Sequence, residues 1–434
     1  LLAIAFTATS TSPPLNNGDY GRTTRSFDLD FPIGGDPGAC PVFRPDLSYP
    51  PASPLSLAGI VTAGAVKLAG QSCFPTGLWF ALFSAIFWAG VLADAILLKG
   101  RRIIALTVVG ITSYLLFAEM LASFYEEAFF AALIPWTALI RFGNRRAMAL
   151  ALAIALLALV SKTQAVFFVP ILVLLFAASA SRVNRWSWLL VAAVLLGGIA
   201  IDAAKTRYHS HINAYNRIYA GLGWAALGVA DWPANEFIGR RVFFYANLSD
   251  DGFGRSTKCA IAGRPLLGTT YFPTAADVID GKVAGSAVLK TAVHELGFGD
   301  FVHCARDIGS PLATVGQVYA VFLQSDYNLA YLRTAPPSGA SQTVMSLRNA
   351  LLRWAGPLFV VIAIGAAALF RRRLFALAAI YLVLGAPAFV FLGDGFYEFE
   401  KHMLLNFMML AGCIFAALRQ ADECASAARA DDAG

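Results

Sequence analysis

An all-α polytopic membrane protein is the fold class this sequence predicts, and three observations carry the prediction. Hydrophobic residues make up 58% of the 434 and charged ones only 14%, with a mean hydropathy of +0.63. An ordinary soluble globule does not have that balance. Several windows stay apolar for the roughly 20 residues that a helix needs to cross a bilayer. They cover 76 to 98, 186 to 203, 351 to 370, 374 to 393 and 401 to 418. Lys and Arg gather between such windows in short clusters, as they do in loops held on the cytoplasmic side. The net charge of +6 is accounted for by those clusters, so it implies no nucleic-acid partner.

Taken in order, residues 1 to 10 (LLAIAFTATS) read as the outward end of a first helix whose beginning is absent, since neither Met nor a basic flank precedes them. Residues 11 to 75 form a first outward loop. Its TSPP, FPIGGDPGACP and SYPPASP stretches are dense in Pro and Gly, and an interfacial helix follows at 56 to 69. Helix 76 to 98 ends at KGRR (Lys99, Arg101, Arg102). Residues 103 to 140 are interrupted by FYEE and 147 to 179 by SKTQ. As one span, 103 to 140 would put KGRR and RFGNRR (Arg141, Arg145, Arg146) on opposite faces of the membrane. Splitting both segments keeps these clusters inside with SRVNR (Arg182, Arg185), RRR (Arg371 to Arg373) and Arg419. The helices that result, 128 to 140, 147 to 160 and 165 to 179, are short. FYEE and SKTQ are therefore expected to dip below the outer surface into a protein-lined cavity.

Residues 204 to 350 alternate amphipathic stretches with Gly and Pro breaks and read as an extracytoplasmic, mostly helical domain. Three parts follow: a transmembrane module over 1 to 203, that domain over 204 to 350, and C-terminal helices with a short cytoplasmic tail over 351 to 434. About ten transmembrane helices are expected, without an internal repeat. Cys40, Cys73, Cys259 and Cys304 fall on the outward, oxidising side, which makes a Cys259–Cys304 bridge plausible and a Cys40–Cys73 bridge a second candidate.

Ionisable and amide groups collect at the outward ends. NNGDYGR supplies Asp19 and Arg22, FYEE supplies Glu126 and Glu127, and SKTQ supplies Lys162 and Gln164. GDGFYEFEKH adds Asp394, Glu398, Lys401 and His402, and HINAYNRIYAGLG adds Tyr215 and Asn216. Charges at membrane depth are costly and tend to mark sites. Each has a plainer alternative. Asp19 suits a turn, Glu127 the positive end of the next helix, and the lysines can snorkel from helix ends. Tyr215 and Asn216 could lie on an interfacial helix. Were 394 to 402 helical, Asp394, Glu398 and His402 would share one face.

The set NNGDYGR, SFYEEA, SKTQ, NAYNRIYAGLG and GDGFYEFEKHMLLNF, in that order and on one side, resembles the GT-C class of integral-membrane glycosyltransferases. Within that class it resembles a bacterial family of glycan-biosynthesis hexose transferases. The resemblance runs over most of the chain and leaves 230 to 345 unmatched. It implies a GT-C-like bundle in the plasma (inner) membrane. There the protein would move a sugar from a polyprenyl-phosphate donor to a glycan or lipid-linked acceptor on the outer face. Asp19 would be the general base and Glu126 a second carboxylate. Arg22, Glu127, Lys162, Gln164, Tyr215, Asn216, Asp394, Glu398, Lys401 and His402 would hold substrate. A Mg²⁺ or Mn²⁺ shared by Asp19 and Glu126 is one option, as oxygen ligands suit both ions. Two other classes stay open. A glycan polymerase or ligase should rely more on outward arginines. A flippase should carry paired half-repeats or midplane charges, and Asp94, Glu119 and Asp202 lie near helix ends.

Overall fold

Ser, Asn and Pro set where the helices of this chain begin. The computed structural model describes residues 20–29, 41–44, 53–98, 101–180, 183–206, 299, 301–302, 311–325, 327, 341–370, 373–394 and 399–431. The first described piece is α1 (Tyr20–Thr24), with a 3-10 turn over Arg25–Phe27. α2 (Pro54–Leu68) opens on Ser53, whose hydroxyl accepts from the Ser56 amide at 3.3 Å, with Pro54 in the first turn. α3 (Thr76–Leu97) and α4 (Arg101–Ala122) form a long hairpin. α5 (Glu127–Leu133) gives way at Pro135 to a 3-10 stretch over Pro135–Leu139. α6 (Arg145–Ser161) is capped by Asn144, whose side chain accepts from the Ala147 amide at 2.9 Å. Another 3-10 stretch, Thr163–Phe168, leads into α7 (Val169–Ala178), and α8 (Arg185–Thr206) follows.

Beyond residue 310 come α9 (Pro311–Gln324), α10 (Ser341–Arg353), α11 (Ala355–Phe370) and α12 (Arg373–Ile380). A π-helical turn over Tyr381–Gly385 joins α12 to α13 (Ala386–Asp394), and α14 (Phe399–Asp431) closes the chain. The described residues contain no strand, only the isolated bridges Leu29–Phe43 and Val42–Cys73. Among the described residues, five helices are long and apolar enough to cross a membrane, or six if the bent pair α10 and α11 is one span.

The chain breaks at FYEE and SKTQ, because charged and polar side chains there replace the apolar run. The window 351 to 370 is corrected: it is not one helix, since α10 ends at Arg353 and the chain turns by 76° into α11. Gly356 and Pro357 lie just past that corner. Gly356 is needed there because a Cβ would stand 2.2 Å from the Phe322 carbonyl oxygen of α9. α9 itself, read from sequence as part of the outward domain, packs on α11 and α13, with Phe322 and Phe359 rings 5.8 Å apart.

α14 is the centre of the bundle: 89% of its apolar window is buried, against 22–44% in the other four helices long enough to span. Close approach and interhelical hydrogen bonds hold such helices together where lipid removes the hydrophobic drive between them. The Thr137 hydroxyl contacts the Gly412 carbonyl at 2.9 Å, and a Cβ at Gly412 would collide with it at 2.8 Å. The Trp136 indole donates to the Ile86 carbonyl at 2.9 Å.

The two ends of the bundle differ. At one, Trp79 donates to the Ser123 carbonyl at 2.9 Å, tying the start of α3 to the end of α4. Six rings, Tyr20, Phe27, Phe74, Trp79, Phe83 and Phe124, stack there through successive contacts of 4.7–6.1 Å. α2 closes over this cluster at Gly59, where a Cβ would meet the Phe27 ring at 2.2 Å. Cys73, beside the cluster, is disulfide-bonded, and the Phe74 amide donates to the Pro41 carbonyl at 3.0 Å. At the other end, Arg419 donates to the Leu97 carbonyl at 2.6 Å and the Phe142 amide to the Ser179 hydroxyl at 2.9 Å.

Candidate functional site

Three chain breaks meet at the end of the bundle that carries the aromatic cluster. The turn from α4 into α5 brings Glu126 and Glu127. The extended residue between α6 and its 3-10 continuation is Lys162, at φ −150° and ψ 141°. The first turn of α14 brings Glu400, Lys401 and His402. All six side chains are nearly or completely buried, with Glu127 and Lys401 at 0% exposure and Glu126, the most open, at 7%.

Lys162 is the link between the breaks. Its Nζ lies 3.2 Å from Glu127 Oε1 and 3.9 Å from Glu126 Oε2. His402 Nδ1 reaches the same Glu127 oxygen at 4.0 Å. The Lys401 ammonium sits over the Tyr125 ring, 4.5 Å from its centroid. Glu400 accepts from the Ser325 hydroxyl at 3.0 Å, which ties the chain beyond α9 to the start of α14. Three successive residues of one helix thus engage two other segments, Glu400 the chain beyond α9 and Lys401 and His402 the FYEE turn. Lys401 and His402 also lie in the first turn of a long helix, whose positive end favours an anion as neighbour.

Next to this cluster lies the segment that begins at Tyr20. Tyr20 packs edge-on against Tyr125 at 4.7 Å and against Phe124 at 5.5 Å. Burial pushes its phenol above the ordinary tyrosine value, so it remains neutral, although Phe124's backbone and the nearby Lys401 charge pull the other way.

Of the side chains singled out from sequence, the structure brings Glu126, Glu127, Lys162, Lys401 and His402 together. Gln164 lies in the 3-10 stretch, its side chain beside Gly393 at the end of α13. Asp394 ends α13 and α14 begins at Phe399, and the residues between them, Glu398 included, lie outside the described residues, so of the row Asp394, Glu398 and His402 only the His402 side chain is described. The side chains of Arg22 and Asp394 lie outside the described residues, as do Asp19, Tyr215, Asn216 and Glu398. Cys40, Cys259 and Cys304 also fall outside them.

Sequence reasoning missed Glu400, Ser325 and Tyr20. Glu400 directly precedes Lys401 and Tyr20 directly follows Asp19, so adjacency was the available signal. It also missed the partner of Glu119. Arg348 of α10 grips that carboxylate with both terminal nitrogens at 3.1 Å and reaches the Leu116 carbonyl as well. This pair fixes α10 to α4.

Among the described residues, no three His, Cys, Asp or Glu side chains group to hold a metal ion. Glu126 faces the Lys162 ammonium, whose charge opposes a divalent ion at the same carboxylate. The described part of the site does not fit Mg²⁺ or Mn²⁺, and no chemical step is derived through either. The chain matches no protein-family model, no curated protein and no solved structure.

Proposed function

We propose that this protein is a membrane glycosyltransferase of the GT-C type, moving a sugar, a hexose, from a polyprenyl-phosphate donor to a glycan or lipid-linked acceptor. One observation carries the reading: Lys162, Lys401 and His402 converge with Glu126 and Glu127 at one end of the bundle, beside the segment that begins next to Asp19. A lipid phosphate leaving group needs cations held at the membrane surface, and its acceptor needs a carboxylate.

In the proposed reaction the acceptor oxygen bonds to the anomeric carbon as the bond from that carbon to the phosphate oxygen breaks. The acceptor proton passes to Asp19 and polyprenyl phosphate departs with the bonding electrons. Attack opposite the leaving group inverts the anomeric centre. Lys162 and Lys401 oppose the charge on the phosphate, His402 donates a hydrogen bond to it, and Glu126 holds the acceptor hydroxyl.

The same proposal sets the topology. The short elements α5, α6 and α7, completed by their 3-10 stretches, join the longer spanning helices and a first helix in a bundle of about ten. The cluster faces outward from the plasma membrane, and 204 to 350 supply an extracytoplasmic domain from which α9 returns to the bundle. The disulfide at Cys73 supports an oxidising location for that end. Purified protein offered a panel of polyprenyl-phosphate sugars, with release of polyprenyl phosphate as readout, tests the reading. No release from any donor rejects it.

A further inference from the structure

The two glutamates of FYEE share one lysine unequally. Glu127 is fully buried, lies 3.2 Å from Lys162, and also faces His402. Glu126 is the more open of the two and stands 3.9 Å from the same ammonium. Of the two carboxylates, Glu126 is the one with any exposure and the longer contact, so it is the easier one for an arriving anion to displace. Moving Glu127 instead would strip a buried carboxylate of its counter-charges, a far costlier change.

We propose that Glu126 is a competitor for Lys162 that the donor's phosphate displaces, and that this exchange sets the order of binding. The inference rests on the transferase reading and deepens it. In the empty protein the Glu126 carboxylate is held toward Lys162. The donor's phosphodiester brings one charge and two free oxygens, as a carboxylate does, but it can close to hydrogen-bond distance of an ammonium that Glu126 holds only at 3.9 Å, so it takes the place beside the ammonium. Glu126 is then released toward the acceptor's side and can accept a hydrogen bond from the incoming hydroxyl. The acceptor site is complete only after the donor has bound, which prevents an acceptor from blocking an empty enzyme. Glu127 stays in place throughout and keeps Lys162 and His402 aimed at the phosphate.

The exchange is read in two ways on the full chain in detergent, with a short-chain polyprenyl phosphate as probe. Glu126→Gln removes the competing charge, so the probe should bind roughly fivefold tighter than to the wild type. Affinity equal to the wild type or weaker overturns the exchange. The second measurement uses the wild-type protein. Labelling of Glu126 by a water-soluble carbodiimide, quantified by peptide mass mapping, should rise severalfold when the probe is added. Unchanged labelling overturns the proposal even if Glu126→Gln does not fold. Inorganic phosphate should raise the labelling only at far higher concentration than the lipid. An equal response to both would mean exchange with free phosphate and would overturn donor-gated order. A wild-type protein that binds no polyprenyl phosphate removes the transferase reading itself; binding with an unresponsive Glu126 removes only this inference.

Discussion

Lys162 Nζ lies 3.2 Å from Glu127 Oε1, and both side chains are almost entirely enclosed. The two residues sit at separate chain breaks, so the pair is a tertiary lock as well as part of the candidate site. Lys162→Met alone should lower stability by about 3 kcal/mol or more, because it leaves a carboxylate buried without that counter-charge. Lys162→Met with Glu127→Gln should recover much of the loss. Denaturant unfolding of the four proteins in the cycle measures the coupling. Additive losses would mean that the two charges do not sense each other.

A second lock joins Arg348 to Glu119, with terminal nitrogens at 3.1 Å from each carboxylate oxygen. It holds α10 where the chain bends by 76° into α11. Arg348→Met should cost about 3 kcal/mol or more, for the same reason, and Glu119→Gln in that background should restore stability. The check is the midpoint of thermal unfolding in a fixed detergent; a single variant as stable as the wild type contradicts the lock.

The path of the chain was legible wherever composition changes abruptly. FYEE and SKTQ interrupt apolar runs with charge, and the breaks fall there. The corner at Trp354 was missed although Gly356 and Pro357 mark it, because a hydropathy window averages over two residues that alter the backbone. The π-helical turn at Tyr381–Gly385 had no comparable signal. It depends on partners distant in sequence: Tyr381 donates to the Phe167 carbonyl at 2.6 Å, and Tyr319 donates to the Leu384 carbonyl. Glu400 was not legible as a site residue because it does not share the helical face of Asp394, Glu398 and His402. Glu400, Lys401 and His402 instead point in three directions, about 100° apart, as consecutive helical residues must.

Gly59 makes a prediction about how α2 seats on the aromatic cluster. Its α-carbon abuts the Phe27 ring, so Gly59→Val should push α2 off the aromatic cluster and cost about 1–3 kcal/mol. Thermal unfolding measures the loss. A variant of wild-type stability would show that α2 does not seal that end.

Sidedness follows from the same two ends. A cysteine at exposed Gln71 should react with a membrane-impermeant maleimide added outside cells, in a background without other free thiols. One at exposed Arg145 should react only after permeabilisation. The reverse pattern inverts the proposed topology.

The bridge expected between Cys259 and Cys304 is tested by peptide mapping without reduction. The two peptides should be recovered linked, with Cys73 also found in a disulfide. Free thiols at Cys259 and Cys304 contradict the pairing.

The claim that the charged cluster holds a lipid phosphate while Asp19 accepts the acceptor's proton is tested most directly by donor turnover. Wild type, Asp19→Asn and Lys162→Ala are compared for sugar transfer and for donor affinity, using whichever polyprenyl-phosphate sugar the wild type consumes. Asp19→Asn should bind donor normally and transfer about 100-fold more slowly, as expected when a general base is removed. Lys162→Ala should bind donor about tenfold or more weakly, the loss expected for one charge-assisted contact to phosphate. Transfer by Asp19→Asn at the wild-type rate, with donor affinity unchanged in Lys162→Ala, would contradict the account.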